Sequence, residues 1–137
     1  MTPHPGAFAS RTHAVSEDDV RAFVDLVGDA NPMHTDDGFA ALSRFGRRVA
    51  PGMWSASFVS GILGSELPGP GTIYLSQTLR FLQPVFIGDT ITGRVEVLRV
   101  RPDKPVVTLS TTCRNQRGEL VLDGEAVVMI DVRKDVA

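Results

Sequence analysis

Residues 51 to 65 read PGMWSASFVSGILGS, and this stretch decides how the rest of the chain is arranged. Its large apolar residues point in several directions around a helix, so we expect a helix from residue 53 to about residue 65 that is buried on nearly all sides. Small residues recur in it at four-residue spacing: Ala56, Ser60 and Gly64, and also Ser57 and Gly61. A glycine inside a helix costs about 1 kcal/mol relative to alanine, so Gly61 and Gly64 indicate that another backbone or a ligand comes very close.

The chain after this helix shows the two-residue alternation of β-strands. We predict strands at residues 73–81, 89–101, 106–114 and 120–132, after a short first strand at 9–15. Short turns between consecutive strands favour antiparallel pairing. The predicted fold is therefore α+β, with one long helix laid across a curved, five-stranded antiparallel sheet. One helix cannot cover both faces of such a sheet, and the sheet has free edges, so we expect a symmetric dimer.

Two helices are predicted before the central one. Ser16 is the expected N-cap of the first, because acidic residues 17 to 19 follow it and apolar residues recur at 20, 23, 24 and 27. Gly28 is the expected stop. Thr35 is the expected cap of the second helix, with Asp36 and Asp37 in its first turn. Its buried side is predicted to carry Phe39, Leu42 and Phe45.

The loop between these two helices reads Gly28-Asp29-Ala30-Asn31-Pro32-Met33-His34. It places a carboxylate and an imidazole five positions apart, and Pro32 fixes its own φ and biases Asn31 toward an extended backbone. Histidine exchanges protons readily near neutral pH, so Asp29 and His34 form a candidate acid–base pair. On spacing alone, the alternative that Asp29 caps the loop and His34 is an ordinary loop residue is about equally favoured.

Composition excludes several other classes of protein. The 137 residues fit one domain, residues 1–137, with a loose N-terminal arm at residues 1–9. The net charge of −2 gives no footprint for nucleic acid, and no apolar run is long enough for a membrane span. No secretory signal is recognisable, so a cytoplasmic location is expected. Cys113 lies in an apolar alternating run and is expected to be a core thiol. Asp36 and Asp37 beside His34 could suggest a metal site, but a helix-start role is favoured and no metal is predicted.

The run Phe23-x4-Gly28-Asp29-x-Asn31-Pro32-x-His34 resembles the hydratase signature of the MaoC-like (R)-specific enoyl-CoA hydratases. The resemblance extends from about residue 10 to residue 132 and is to the short members that consist of a single hot-dog domain. The other stretches that carry it are Gly52-Met53, residues 60–64, residues 71–75, Arg80-Phe81-x2-Pro84 and residues 85–89. One position departs from the family pattern, because Pro51 stands where the usual residue is histidine.

The resemblance implies a hot-dog fold and the reversible hydration of trans-2-enoyl-CoA to (R)-3-hydroxyacyl-CoA. Asp29 and His34 would then hold the reacting water between them. The Gly52 N–H at the start of the long helix would bind the thioester oxygen, reinforced by the helix dipole. Ser60 would support the site, and Asn31 would shape the loop. No cofactor is implied, since coenzyme A is part of the substrate, and the implied assembly is a homodimer.

Three alternatives remain. The substrate could be a (R)-3-hydroxyacyl group on an acidic acyl carrier protein, because Arg44, Arg47 and Arg48 form a basic turn. These arginines could instead meet the phosphates of coenzyme A, although a solvated turn is favoured. A non-catalytic acyl-thioester-binding subunit is the second alternative, and Pro51 is its main support. A thioesterase is the third, and the Asp-x-Asn-Pro-x-His pattern argues against it.

Overall fold

One curved antiparallel sheet and one long helix make up most of the computed structural model, which describes residues 3–131. The elements in chain order are β1 (Phe8–Ala14), α1 (Glu17–Val27), α2 (Asp37–Ala41), α3 (Gly52–Ser65), β2 (Thr72–Gln77), β3 (Arg80–Phe81), β4 (Thr90–Val100), β5 (Val106–Arg114) and β6 (Leu120–Ile130). The strand order is β1-β4-β5-β6-β2, and β3 pairs with β6 beyond the end of β2. With α3 packed across β4 and β5, this is the expected α+β hot-dog arrangement.

The core lies between α3 and the sheet, and the alternation of the strands explains it. Along β4 and β5, every second residue is buried, and these residues face the helix. From α3, the buried side chains are Trp54, Ser55, Ala56, Val59, Ile62 and Leu63. Gly93 lies beneath the helix, where a β-carbon would be 2.8 Å from Ile62 Cδ1. The glycine in β4 therefore lets the helix lie close to the sheet.

The predicted all-round burial of α3 is wrong for the single chain. Met53, Ser57 and Gly64 are exposed, and Ser60 and Gly61 are half-buried, so one stripe of the helix faces outward. Within residues 3–131, no other backbone comes close to the helix glycines, and the alternative that a ligand approaches them stays a prediction. A β-carbon on Gly61 would be 3.6 Å from an Arg11 side-chain nitrogen, and one on Gly64 would meet no atom within 4 Å.

The predicted strand at residues 73–81 is interrupted, so the sheet has six strands instead of five. Thr78 and Leu79 separate β2 from β3, and Thr78 hydrogen-bonds to Glu125 through both its backbone N–H and its hydroxyl. A β-carbon on Gly124 would lie 1.8 Å from the Thr78 carbonyl oxygen. These two segments of the chain can cross this closely because residue 124 has no side chain.

Both ends of the described chain differ slightly from expectation. β1 begins at Phe8, so the last two residues of the predicted arm belong to the strand. Gly6 and Ala7 also exchange backbone hydrogen bonds with Val97. Residues 1 and 2 of the arm, and Val132 at the end of the predicted last strand, lie outside the described residues. Within residues 3–131, no helix has both the length and the apolar character needed to cross a bilayer.

The first helix follows its prediction, and the second does so only in part. Ser16 and Asp19 form a capping box at the start of α1, and Gly28 ends the helix with φ of 74°. The cap of α2 is Asp36 instead of Thr35, because the Asp36 side chain accepts from the Phe39 N–H. Phe39 and Leu42 are exposed, at 51% and 92%, so their predicted burial is wrong for the single chain.

Candidate active site

The loop after α1 is shaped by its own polar side chains. The Asn31 N–H donates to Asp29 Oδ1 at 2.9 Å, and Asn31 Oδ1 accepts from the Met33 N–H at 3.1 Å. The His34 N–H donates to the Asn31 carbonyl at 3.1 Å, which turns the chain through Pro32. Asn31 thus occupies the loop-shaping position expected for it. Its backbone N–H contacts Asp29, and its side-chain oxygen bonds to the Met33 N–H in the same loop.

The loop brings the two titratable side chains together. His34 Nε2 lies 3.3 Å from Asp29 Oδ2, and His34 Nδ1 lies 2.7 Å from the Val49 carbonyl oxygen. A carbonyl only accepts hydrogen bonds, so we assign the Nδ1 proton to the bond with Val49. Nε2 is then the nitrogen that faces the carboxylate. The His34 side chain is 10% exposed and that of Asp29 32%, so the carboxylate is the member of the pair that meets solvent.

The start of α3 lies beside this pair. Asp29, His34, Pro51 and Gly52 line one cleft of about 540 Å³, which we call the dyad cleft. Pro51 is the N-cap and offers no side-chain hydrogen bond, so the N–H groups of the first turn are not capped by a side chain. A β-carbon on Gly52 would lie 2.9 Å from the Phe81 ring. The absence of a side chain at Gly52 therefore lets the Phe81 ring of the same chain pack closely against the start of α3.

Ser60 lies outside the dyad cleft. It lines a neighbouring cleft of about 430 Å³, the Tyr74 cleft, between α3 and β2. Met53 and Ser57 line both clefts and connect them. The Tyr74 hydroxyl donates to Gln77 Oε1 at 2.7 Å, and burial raises the pKa of this phenol. The structure thus brings Asp29, His34 and Gly52 to one cleft, with Asn31 in the loop that carries the first two and Ser60 about two helical turns further along α3.

Arg48, which sequence reasoning placed in a solvated turn, is largely buried next to the segment that holds His34. Its side chain is 10% exposed, donates 2.9 Å to Glu17 Oε1, and lies 2.8 Å from Asp37 Oδ1. The hydrogen bond from Arg48 lowers the pKa of Glu17 to about 2. Arg48 thus ties the starts of α1 and α2 to the segment that contains Val49, and the Val49 carbonyl holds His34. Its partners are 31 and 11 positions away, so no local pattern reveals them.

The acids considered for a metal site have other partners. Asp36 caps α2, and Asp37 pairs with Arg48. Within residues 3–131, no three His, Cys, Asp or Glu side chains are grouped closely enough to bind a metal ion. Cys113 is fully buried, and burial raises the pKa of its thiol to about 12, as expected for a core residue.

A long helix wrapped by an antiparallel sheet, with a carboxylate–imidazole pair beside the start of the helix, is the arrangement of a hot-dog protein. The chain belongs to the MaoC-like domain family, whose model matches residues 4–116. It is 45% identical to the (R)-specific enoyl-CoA hydratase of Rhodospirillum rubrum, over 93% of this chain and 88% of that one. It is 50% identical to the enzyme of that name from Aeromonas caviae, over 82% and 84% of the two chains.

A solved structure gives the same result for the fold. The (R)-hydratase from A. caviae, described as involved in PHA biosynthesis, superposes with a TM-score of 0.92 at 45% identity. The alignment covers 94% of this chain and 98% of that one. The resemblance noted from the sequence is thereby confirmed, as is the hot-dog fold.

Proposed function

We propose that this protein is an (R)-specific enoyl-CoA hydratase, a hydro-lyase that interconverts trans-2-enoyl-CoA and (R)-3-hydroxyacyl-CoA. The observation that carries the proposal is the geometry of His34. Its ring is held at Nδ1 by Val49, and its Nε2 faces Asp29 beside the start of α3. The similarity to the two named hydratases supports the substrate class.

The reaction adds one water across the double bond. The base of the pair removes a proton from the water as its oxygen bonds to the β-carbon. The π electrons shift toward the thioester oxygen, and the acid of the pair returns a proton to the α-carbon. A carboxylate and an imidazole 3.3 Å apart can hold one water and perform both transfers. Only water and the thioester are consumed, so we expect activity to survive exhaustive dialysis against a chelator.

Charge developing on the thioester oxygen needs a donor close to the dyad. Gly52 is the first residue of α3 and lines the dyad cleft, so its N–H is the proposed donor, aided by the positive end of the helix dipole. Pro51 leaves this donor in place, because it only precedes it as the N-cap. The departure at Pro51 is therefore compatible with the proposed chemistry.

The acyl chain is proposed to run from the dyad cleft into the Tyr74 cleft. Met53 and Ser57 line both clefts, and the lining of the Tyr74 cleft includes no charged side chain. Ser60 lines this second cleft, so we assign it a supporting contact with the substrate, away from the proton transfers.

The test follows the loss of the conjugated thioester absorbance of crotonyl-CoA, with chiral analysis of the product. We expect Asp29→Asn and His34→Ala each to lower kcat by about 10²- to 10⁴-fold. His13→Gln is the matched control, because His13 also pairs with a carboxylate, Asp19, but outside the clefts described above. Unchanged turnover in both dyad variants would refute the mechanism, and wild-type protein that binds acyl-CoA without turnover would favour the non-catalytic subunit.

An acyl-carrier-protein dehydratase is the second candidate. Arg44 and Arg47 are exposed and pair with no acidic side chain within residues 3–131, so they remain open to an acidic carrier. Arg48 does not, because Glu17 and Asp37 occupy it. Rates on the same acyl group carried by coenzyme A and by a carrier protein separate the two candidates.

We also infer that the working form is a homodimer. β2 is an outer strand of the sheet, and Ile73, Tyr74 and Leu75 on it are each 39% to 54% exposed. Phe81 and Leu82, just beyond it, are exposed as well. A second copy placed along β2 would cover the outer side of this strand, including the side chain of Ile73. Light scattering during gel filtration tests this, and a monomer at micromolar concentration would contradict it. The cytoplasmic location stays a prediction.

A further inference from the structure

A third cleft, the Phe81 cleft, lies on the other side of Gly52. It measures about 370 Å³ and lies between the start of α3, the segment from β3 to Val85, and β6. Its lining includes Arg44, Gly52, Ser55, Phe81 and Gln83. Gly52 also lines the dyad cleft, so the two clefts meet at the residue proposed to bind the thioester oxygen.

One side chain in this cleft is not explained by the fold. The Ser55 hydroxyl is buried without a hydrogen-bond partner in the described part of the chain, in a residue that is 2% exposed. Burying a hydroxyl without a hydrogen-bond partner is unfavourable, so such groups call for an explanation. Ser55 lies three residues after Gly52 on the same helix, about 4.5 Å further along its axis.

The lining of the cleft carries a positive charge that forms no ion pair within residues 3–131. Arg44 lines the cleft and makes no ion pair there, although its guanidinium lies 5.8 Å from the Phe45 ring. The nearby Arg47 differs, because its guanidinium stacks 3.8 Å over the Phe86 ring and it does not line the cleft.

The Tyr74 cleft and the Phe81 cleft thus both adjoin the dyad cleft, and their linings differ in chemistry. The Tyr74 cleft continues from the dyad along α3 and is uncharged, while the Phe81 cleft lies across Gly52 and combines a buried hydroxyl with an arginine. A thioester substrate has the same two-sided character. Its acyl side is apolar, and its carrier side has two amides and ends in phosphate.

We propose that the Phe81 cleft binds the phosphopantetheine arm of the thioester substrate, with the Ser55 hydroxyl bonded to an amide of the arm and Arg44 facing the phosphate. This proposal rests on the proposed function for the identity of the substrate. The first amide of the arm is separated from the thioester carbonyl by the sulfur and two methylene groups. The rise from Gly52 to Ser55 along the helix spans a similar distance. A bound amide would supply the partner that the Ser55 hydroxyl lacks within the chain.

Binding is measured with ligands that cannot be hydrated, so the test does not depend on turnover. Titration calorimetry compares free coenzyme A, butyryl-CoA, butyryl-4′-phosphopantetheine and butyryl-pantetheine. We expect Ser55→Ala to weaken all four by about three- to tenfold, the range for one hydrogen bond. We expect Arg44→Gln to weaken the phosphorylated ligands only, and less so at high salt. A loss shared by phosphopantetheine supports recognition of the arm phosphate that coenzyme A and carrier proteins have in common. A loss confined to the coenzyme A ligands would overturn the assignment of Arg44 to that phosphate.

Two matched controls accompany these variants. Ser65→Ala removes an exposed hydroxyl from the far end of α3, and Arg101→Gln removes an exposed arginine that pairs with Asp103 in the turn after β4 and does not line the cleft. Neither should change the affinities. The proposal is overturned if Ser55→Ala leaves free coenzyme A unaffected, or if Arg44→Gln weakens butyryl-pantetheine as much as butyryl-CoA. A wild-type protein that binds these ligands as described but does not hydrate crotonyl-CoA would refute the proposed function and leave the arm site supported.

Discussion

The carbonyl oxygen of Val49 fixes the imidazole of His34 at 2.7 Å, so the proposed acid–base group is oriented by a segment 15 residues further along the chain. Val49 in turn donates its N–H to the Met33 carbonyl, which closes a two-way link between this segment and the loop. The orientation of the dyad therefore depends on residues 48–50 as much as on the loop that carries Asp29 and His34.

Two substitutions at His34 separate the functions of its nitrogens. Asparagine can place an N–H near the position of Nδ1 but has no atom at Nε2, so His34→Asn should keep the bond to Val49 and lose proton transfer. We expect its melting temperature to stay close to that of the wild type, with kcat lower by about 10²- to 10⁴-fold. His34→Ala should lose both properties. Equal losses of stability in the two variants would contradict the assigned role of Nδ1.

Arg48 should act as a positioning residue. Arg48→Met removes the link between α1, α2 and the segment that holds His34, so we expect kcat to fall about tenfold with a smaller change in KM. Arg48→Lys should recover part of this loss, because a lysine can still reach one of the two carboxylates. Arg101→Met is the matched control, since Arg101 pairs with Asp103 in a turn. A variant that changes only the melting temperature would show that the link is merely structural.

The pair formed by Glu17 and Arg48 should make the free energy of unfolding depend on pH in the acidic range. The pKa of Glu17 is about 2 in the folded protein against an ordinary value of 4.5, chiefly through the hydrogen bond with Arg48. A lowered folded pKa contributes stability that is complete above pH 4.5 and is lost as the pH falls toward 2. Glu17→Gln should remove this contribution, so the stability difference between wild type and variant should shrink across that interval. Denaturant titrations at several pH values measure it, and a constant difference would contradict the pairing.

Cys113 should be chemically silent in the folded protein. Its thiol is buried, and a pKa of about 12 leaves almost no thiolate at pH 8. We expect no reaction with a disulfide reagent under native conditions and one equivalent of reaction after unfolding in guanidinium. Rapid modification of the native protein would mean that the strand carrying Cys113 opens readily.

The crossing at Gly124 should not tolerate a side chain. The methyl of Gly124→Ala would lie 1.8 Å from the Thr78 carbonyl, so β6 or the break between β2 and β3 would have to move. We expect a loss of about 1 to 3 kcal/mol in the free energy of unfolding. Gly38→Ala in α2 is the comparison, since its methyl would lie 3.4 Å from Asp36 and should be neutral or slightly stabilising. Equal effects at the two positions would contradict the crossing.

The sequence predicted what depends on local periodicity and missed what depends on distant partners. Alternation gave the long strands, and Ser16 and Gly28 gave both ends of α1, because caps are set by neighbouring residues. The break at Thr78 depends on Gly124, and the burial of Arg48 depends on Glu17. Neither relationship leaves a local pattern. The apolar residues of α2 and the outward stripe of α3 were predicted as buried because periodicity does not show which surface covers a helix.

The candidate site was also predictable only where a local motif marks its residues. The motif identified Asp29 and His34, and the structure brings them to 3.3 Å. The Val49 carbonyl could not be foreseen, because backbone atoms carry no sequence identity. Ser55 also escaped notice, since a serine in a helix usually bonds to its own backbone, and only the structure shows that this one does not.

The two margins of the sheet set a limit on assembly. The β2 margin exposes isoleucine, tyrosine and leucine, whereas β1 at the opposite margin carries Ser10, Arg11, Thr12 and His13, with Arg11 paired to Glu66. In the proposed dimer, two copies joined through β2 would leave β1 at both outer margins. Charged and polar margins resist the addition of further strands. Growth would therefore stop at two chains, and concentrated solutions of the protein should contain discrete pairs instead of filaments.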